Sequence, residues 1–589
     1  MKTLYLYLFF FVYTLNCSSQ NFQLKLTGVS EYENKVLDSL NYLKNHKNIK
    51  SINDEIAATT DKLLKIGYIE NQLIENKKGN DSIYIAKFSL GERLNSIHIY
   101  IGKNTFSTPK TSRFSKVEEK KTKRDFNNTT IRNLIGLDEK KDTLVLPFTE
   151  VETFLNKSMQ KLEQQGFAFA RLKLDNIKKN NKIIYSELKF ELNNPRELNS
   201  IIVKYTDNNK KNSFPKGHLA QINRKYRNST FNKNVVHNIY EDFEKFRFVS
   251  QVKYPEILFT KDSTKTYVYL DKRKSNVFDG IIGFSNTKNN KIRFNGYLDL
   301  TLENTLKAGE QFSLYWKSDG NNQKTFTTGI QIPYLFKSPF GLKASINIFK
   351  QDSVFQNTKT GIDLGYYIDY NTRIYLGYQA TESSDIQNSN NKTLSDYKNS
   401  YITSNFDFLK FDTNNSNFPI KSKLSISLGI GERTTNELAF SPGVVKQKYI
   451  NIQAMHNFYL NPKNGININY HNYLLKSDTY IINELFRFGG INSIRGFSEN
   501  NFQANFMTSI QSEYRYILSS SLYLHSILDY CYFKDNSLNN KGNLVGIGLG
   551  LGLNTKTGLL KFAFANSINK NQAVKSFNTI IHISYNVEF

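Results

Sequence analysis

Arg495 is the residue in this chain whose type and setting promise the most specific chemistry. Residues 486–497 read Phe-Arg-Phe-Gly-Gly-Ile-Asn-Ser-Ile-Arg-Gly-Phe, so the guanidinium is framed by Ile494, Gly496 and Phe497 and preceded by Gly489 and Gly490. A charge on so apolar and glycine-rich a loop is useful only where the loop folds into a polar interior, because a guanidinium presents a planar fork of N–H donors. Catalytic and metal chemistry find no comparable anchor. The eight histidines, His46, His98, His218, His237, His456, His471, His525 and His582, are dispersed without metal-ligand spacing, and no Gly-x-Ser-x-Gly occurs. Gly546, Gly548, Gly550 and Gly552 alternate with Ile547, Leu549 and Leu551, but no Lys-Ser/Thr follows and the spacing misses the dinucleotide pattern. That run reads as a strand whose small residues leave room for a loop passing beside it. No metal, no cofactor and no enzymatic activity are expected.

The elements that must position Arg495 are strands. From Val277 onward helical periodicity is absent, and alternating segments separated by Asn, Gly, Ser and Lys clusters take over. In residues 292–303 Ile292, Phe294, Gly296, Leu298, Leu300 and Leu302 share one face, while Arg293, Asn295, Tyr297, Asp299, Thr301 and Glu303 share the other. Phe312, Leu314 and Trp316 repeat the pattern, as do Tyr514, Tyr516 and Leu518. At the end Ile581, Ile583, Tyr585, Val587 and Phe589 oppose His582, Ser584, Asn586 and Glu588. Period two with an apolar outside and a polar inside is the signature of a transmembrane barrel. At 9–11 residues per spanning strand plus turns, roughly 310 residues fit about sixteen strands. His525 and His582 then read as polar residues facing the lumen.

Before residue 275 the pattern mixes helices and strands, and it repeats. Lys87-Phe88-Ser89-Leu90 followed by Leu94-Asn95-Ser96-Ile97 returns as Lys189-Phe190-Glu191-Leu192 followed by Leu198-Asn199-Ser200-Ile201. Each copy follows a predicted helix closed by Gly-aromatic. The first covers residues 53–66 with Gly67-Tyr68. The second covers residues 149–165 with Gly166-Phe167, Glu152 completing a capping box and Val151, Leu155 and Leu162 on one face. A weaker third copy at residues 237–248 leads into residues 252–270.

Composition narrows the class. A mean hydropathy of −0.50 with 39% hydrophobic residues excludes a bundle of membrane helices but allows a barrel. The apolar stretch at residues 4–15 behind Lys2 is too short to span a bilayer and has the form of a secretory signal. Cys17, Ser18 and Ser19 suit cleavage before Gln20; lipidation at Cys17 is the rival reading, and Asn16 fits it poorly. Cleavage after Ser19 leaves Cys531 as the one cysteine, so no intramolecular disulfide is expected. The formal charge of +26 is spread along the whole length, which fits solvated loops and compositional bias better than nucleic-acid binding. Residues 116–124 read as a flexible insertion.

In this layout the chain resembles the superfamily that includes the outer-membrane assembly factor BamA, its relative TamA and the two-partner secretion transporters, and the layout is most like that of TamA. Ile494, Arg495, Gly496 and Phe497 match the family's Val/Ile-Arg-Gly-Phe/Tyr at the tip of the sixth extracellular loop, and Gly489-Gly490 also fits. The resemblance covers essentially all of the mature chain. It implies periplasmic α+β polypeptide-transport-associated (POTRA) repeats of strand-helix-helix-strand-strand order, followed by an antiparallel barrel of about sixteen strands. The expected division is a signal peptide at residues 1–19, repeats at 20–92, 93–197 and 198–275, and a barrel at 276–589. The resemblance further implies that Arg495 enters the lumen and meets acidic residues on the following strands, Asp529 first and Glu513, within Glu-x-Arg515, second. Around the aspartate the family's aromatic-x-Asp-x-Gly reads Ile527-Leu528-Asp529-Tyr530-Cys531, a departure at both ends. Tyr585, Val587 and Phe589 resemble the signal by which barrels are recognised for assembly. The implied location is the outer membrane with the N-terminal domains in the periplasm. The implied partners are unfolded or secreted client polypeptides, outer-membrane lipids and periplasmic or lipoprotein accessory factors, with no nucleic acid. The implied role is assembly or translocation of proteins. The alternatives are a two-partner-type pore for one exported protein and a passive porin-like channel.

Overall fold

The computed structural model describes residues 22–101, 106–107, 133, 135–136, 142–206, 213–286, 292–318, 323–387, 394–412, 415, 417–435, 443–555, 558–568 and 579–588; of residues 106–107, 281–286, 292–295 and 588 only the backbone is described. The expected signal peptide, Cys17, the insertion at 116–124 and Phe589 therefore lie outside the described residues. The chain divides into two compact units, one running to Glu197 and including Ser229–Val235, the other made of Leu198–Asn228 and Val236–Phe589.

The first unit holds two sheets. In the first, Asn45–His46, Phe22–Gly28, Ile83–Ser89 and Gln72–Lys78 lie side by side in that order, with Phe22–Gly28 parallel to Ile83–Ser89. Ser30 and Glu33 form a capping box that starts helix Glu31–Ser39, satisfying N–H groups that a helix start leaves unpaired. Helix Ile49–Lys65 is capped by Asn48, whose side chain accepts from the Ser51 N–H at 2.8 Å. It buries Ile52, Ile56, Thr59 and Leu63, spaced to share one helical face. The helix thus starts earlier than predicted, because Asn48 supplies the cap. The second sheet pairs Ser96–Tyr100 with Ile183–Glu191 in parallel and with Thr143–Pro147 antiparallel. Its helix is Val151–Gln164, on which Leu162 is buried and Val151 and Leu155 pack against the same core. The predicted capping box is absent. Thr149 lies inside a 3-10 turn, Phe148–Glu150, so Glu150 is the residue before the helix and makes no side-chain cap.

The sequence repeat returns as a hydrogen-bond repeat. Gly67 and Gly166 both have left-handed backbones, with φ of 106° and 95°. The carbonyl of Gly67 accepts from the Leu94 N–H at 2.9 Å, and that of Gly166 from the Arg196 N–H at 2.8 Å. Each glycine ends a helix and ties it to the segment that follows the sheet.

The second unit begins with a third sheet in which Leu198–Tyr205 runs parallel to Thr264–Lys272, and Val249–Gln251 and Glu256–Phe259 both pair with the latter. Helices Lys216–Tyr226 and Lys233–Glu244 contribute Ile222, Tyr226, Ile239 and Phe243 to its core. This domain is seated on the short turns of the barrel. His218 is fully buried there, its ring 4.8 Å from Tyr334 and 5.3 Å from Tyr370, and neither ring nitrogen has a hydrogen-bond partner among the described residues. Burial, with Arg373 nearby, pushes its pKa down to about 3. Lys245 and Asp369 at 3.7 Å and Arg247 and Glu303 at 3.9 Å add ion pairs to the joint.

Sixteen antiparallel strands close the barrel, from Val277–Asn286 to Ile580–Glu588. The wall follows the alternation read from the sequence. On strand Phe355–Asp369, Ile362, Leu364, Tyr366 and Ile368 are exposed while Asp363 is buried, and Tyr514, Tyr516 and Leu518 are exposed on Phe506–Ser519. Strands are longer than the 9–11 residues expected of a spanning segment: Ile420–Thr435 has 16 and Val444–Asn461 has 18. At ~3.3 Å per residue such strands exceed the hydrocarbon thickness even when tilted by about 45°. Among the described residues no helix is long and apolar enough to cross a membrane.

Candidate functional site

A long connection, residues 477–505, joins the eleventh strand, Asn464–Lys476, to the twelfth, Phe506–Ser519, and folds against the inner wall. Within it Phe486–Phe488 and Phe502–Ala504 form a short hairpin, and Gly490 bridges to Ile494, whose carbonyl accepts from the Gly490 N–H at 3.1 Å. This turn sets up the tip. Arg495 donates to Asp529 of the thirteenth strand, Leu522–Asp535, from its backbone N–H at 2.9 Å, from Nε at 2.9 Å and from Nη2 at 2.6 Å. Its Nη1 bonds to Glu513 of the twelfth strand. Arg495 is 5% exposed and Asp529 is fully buried. Arg515 donates from Nε to the other oxygen of Glu513 at 2.8 Å and from Nη1 to Asn457 at 3.0 Å. Two guanidinium groups thus face two carboxylates, which is the balance that charges withdrawn from water require.

Small residues make room for the tip. A Cβ on Gly546 of the fourteenth strand, Asn540–Asn554, would stand 2.1 Å from the Arg495 carbonyl oxygen. A Cβ on Gly496, whose φ is 88°, would stand 2.7 Å from the Asn566 backbone on the fifteenth strand, Gly558–Ile568. The departures around Asp529 are absorbed by packing. Cys531 lies buried in one apolar cluster with Ile494, Phe497, Phe488 and Phe533, and Ile527 packs with Ala563 and Ala565.

Two further ion pairs hold the same loop, and sequence reasoning missed both. At its base Glu484 pairs with Arg433 of the ninth strand, Ile420–Thr435, both about 1% exposed; Arg433 also donates to the Thr479 Oγ1 at 2.7 Å, and Gln447 to Glu484 at 2.8 Å. Beyond the tip, Glu499 pairs with Lys317 of the third strand, Gln311–Ser318, at 2.8 Å. Parity held a signal for the first: Arg433 shares the inward face with Gly429 and Gly431, opposite the exposed Ile430.

The barrel closes through a short seam. Among the described residues the first and last strands share three residue pairs, Val277 with Glu588, Phe278 with Val587 and Asp279 with Asn586, whereas the first and second strands share ten and the fifteenth and sixteenth eight. One residue past the last pair, the Tyr585 N–H donates to Oδ1 of Asp279 at 3.2 Å, and the same oxygen accepts from the Tyr297 hydroxyl at 2.7 Å. Tyr585 and Val587, the described members of the terminal pattern, therefore border the seam, with Ile581 and Ile583 exposed on the outer face.

Residues 304–586, which take in the lumenal loop, all its carboxylate partners and most of the barrel, match the Omp85 superfamily domain. This chain carries an Omp85 superfamily domain. No curated protein matches the sequence. Among solved structures, BamA from Haemophilus ducreyi lacking POTRA domains 1–3 is 15% identical with a TM-score of 0.46, the match covering 78% of this chain and 97% of that one. CdiB from Acinetobacter baumannii is 13% identical with a TM-score of 0.49, covering 78% and 86%, and CdiB from Escherichia coli is 11% identical with a TM-score of 0.48, covering 91% and 98%. The Omp85 barrel lies in the bacterial outer membrane. Its family supports a role in outer-membrane assembly or translocation in general.

Proposed function

We propose that this Omp85 protein is a non-enzymatic factor whose periplasmic repeats take up client polypeptide and whose barrel helps the client insert into, or cross, the outer membrane. In this reading residues 1–19 are a signal peptide, 20–92, 93–197 and 198–275 are POTRA repeats, and 276–589 form the barrel. The observation that carries the proposal is the seam, with three pairs among the described residues, in a wall otherwise joined by long ladders. A strand edge with unpaired N–H and C=O groups is a template for another strand, so a seam that parts offers a client the pairing it needs at the membrane. The repeats carry edges of the same kind: Gln72–Lys78 borders the first sheet and exposes Leu73 and Ile74. A loop fastened inside the lumen by buried ion pairs favours this reading over a passive channel.

Insertion of many clients and export of one partner use the same parts, and depletion separates them. Outer-membrane and secreted proteomes are compared with and without the protein. Loss of many barrels supports assembly, and loss of one secreted protein supports a dedicated pore. Unchanged proteomes with altered small-solute uptake would overturn the proposal in favour of a channel.

A further inference from the structure

The ion pair between Lys317 and Glu499 lies on the far side of the seam from the Arg495 anchor. The loop tip rests on the thirteenth, fourteenth and fifteenth strands through Asp529, Gly546 and Asn566. Three residues beyond Gly496, Glu499 reaches Lys317 on the third strand. The short way around the wall from the fifteenth to the third strand passes the sixteenth, the first and the second, four inter-strand steps of about 4.8 Å each. The loop therefore bridges the seam from inside, anchored on the C-terminal strands at one end and on an N-terminal strand at the other.

Glu499 is held in place for this contact. Its Oε1 accepts from the Ile491 N–H at 3.1 Å as well as from Lys317 at 2.8 Å. Gly490, with φ of 91°, leaves the space the carboxylate occupies, since a Cβ there would stand 2.1 Å from Glu499 Cδ. The second glycine of Gly489-Gly490 thus has a use in this chain that the tip itself does not require.

We propose that Lys317 and Glu499 are positioning residues that form an internal tie across the seam, so that parting of the first and last strands requires their release. This rests on the reading of the seam as the opening through which clients pass. Each side chain is about a quarter exposed, at 22% and 25%, so the tie is weak enough to break in a working cycle.

The test places cysteines at Phe278 and Val587, which face each other across the seam, in the full-length protein inserted into lipid vesicles; Cys531 is buried and stays. The rate of disulfide formation under mild oxidation is measured on the inserted fraction alone. Lys317→Gln, Glu499→Gln and Gly490→Ala should each slow it, by up to about fivefold, the limit set by loss of a partly exposed pair on the closed fraction of the seam. The charge swap Lys317→Glu with Glu499→Lys should restore most of the rate. Unchanged rates in the single variants, or a swap that fails to restore, overturn the tie while leaving the proposed function standing. Slower rates restored by the swap uphold the tie; the reading of the seam as the client's route fails separately, if client assembly in cells continues while the Phe278–Val587 disulfide is formed.

Discussion

Arg495 gives Asp529 three hydrogen bonds, two from the guanidinium and one from its own backbone, so one carboxylate fixes both the side chain and the chain direction at the loop tip. Arg495→Ala would strand a fully buried carboxylate, a loss that typically costs about 3–5 kcal/mol. The wall is held by its own ladders and should still insert, while residues 477–505 become sensitive to protease in the purified protein. Arg495→Lys should protect only in part, because an ammonium lacks the planar fork. Arg495→Ala combined with Asp529→Ala should cost less than the sum of the single changes; additive losses would show that the two residues are uncoupled.

Gly546→Ala tests the same seat from the wall. The added Cβ would meet the Arg495 carbonyl oxygen, a backbone atom unable to swing aside, at a cost of about 1–3 kcal/mol. The loop should loosen as in Arg495→Ala, with insertion unchanged. A fully protected loop would mean that the strand yields instead.

At the seam, Asp279→Ala removes the acceptor of the Tyr585 N–H. Amide exchange at Tyr585 should accelerate by about fivefold, corresponding to one ordinary hydrogen bond of ~1 kcal/mol, whereas Asp279→Asn retains an acceptor oxygen and should exchange nearly as slowly as the parent. Equal exchange in all three proteins would remove Asp279 from the account of closure.

The joint between the third sheet and the barrel should be sensitive to acid. His218 is held at about 3 against an ordinary 6.5, so between these values the freed histidine binds a proton that the docked one refuses. Docking is therefore at full strength above pH 6.5 and weakens as pH falls from 6.5 toward 3, by at most roughly 1.4 kcal/mol per unit. Hydrogen exchange in helix Lys216–Tyr226 should rise over that window and lose its pH dependence in His218→Leu. A pH response that survives the substitution would remove His218 from the account of this joint.

The barrel was legible because lipid outside and a polar lumen inside write period two into each strand, as at Ile581 and His582. Arg495 was legible because glycines and apolar neighbours left its charge no local use. Partners that exist only once the barrel closes were not: Arg433 and Glu484 are 51 residues apart, and Lys317 is one lysine among many on alternating strands. The length of the seam was equally hidden, since it depends on the stagger of the first strand against the last and on no local pattern. Local misreadings had local causes. Asn48 moved one helix start forward, and the 3-10 turn at Thr149 displaced a cap.

If clients pass through a parting seam, a covalent lock across that seam must stop them. Cells depending on the Phe278→Cys, Val587→Cys protein are followed under oxidising and reducing conditions, with the disulfide quantified and client assembly or export measured. We predict loss of activity in proportion to the locked fraction and recovery on reduction. Full activity with the seam locked would mean that clients take another route.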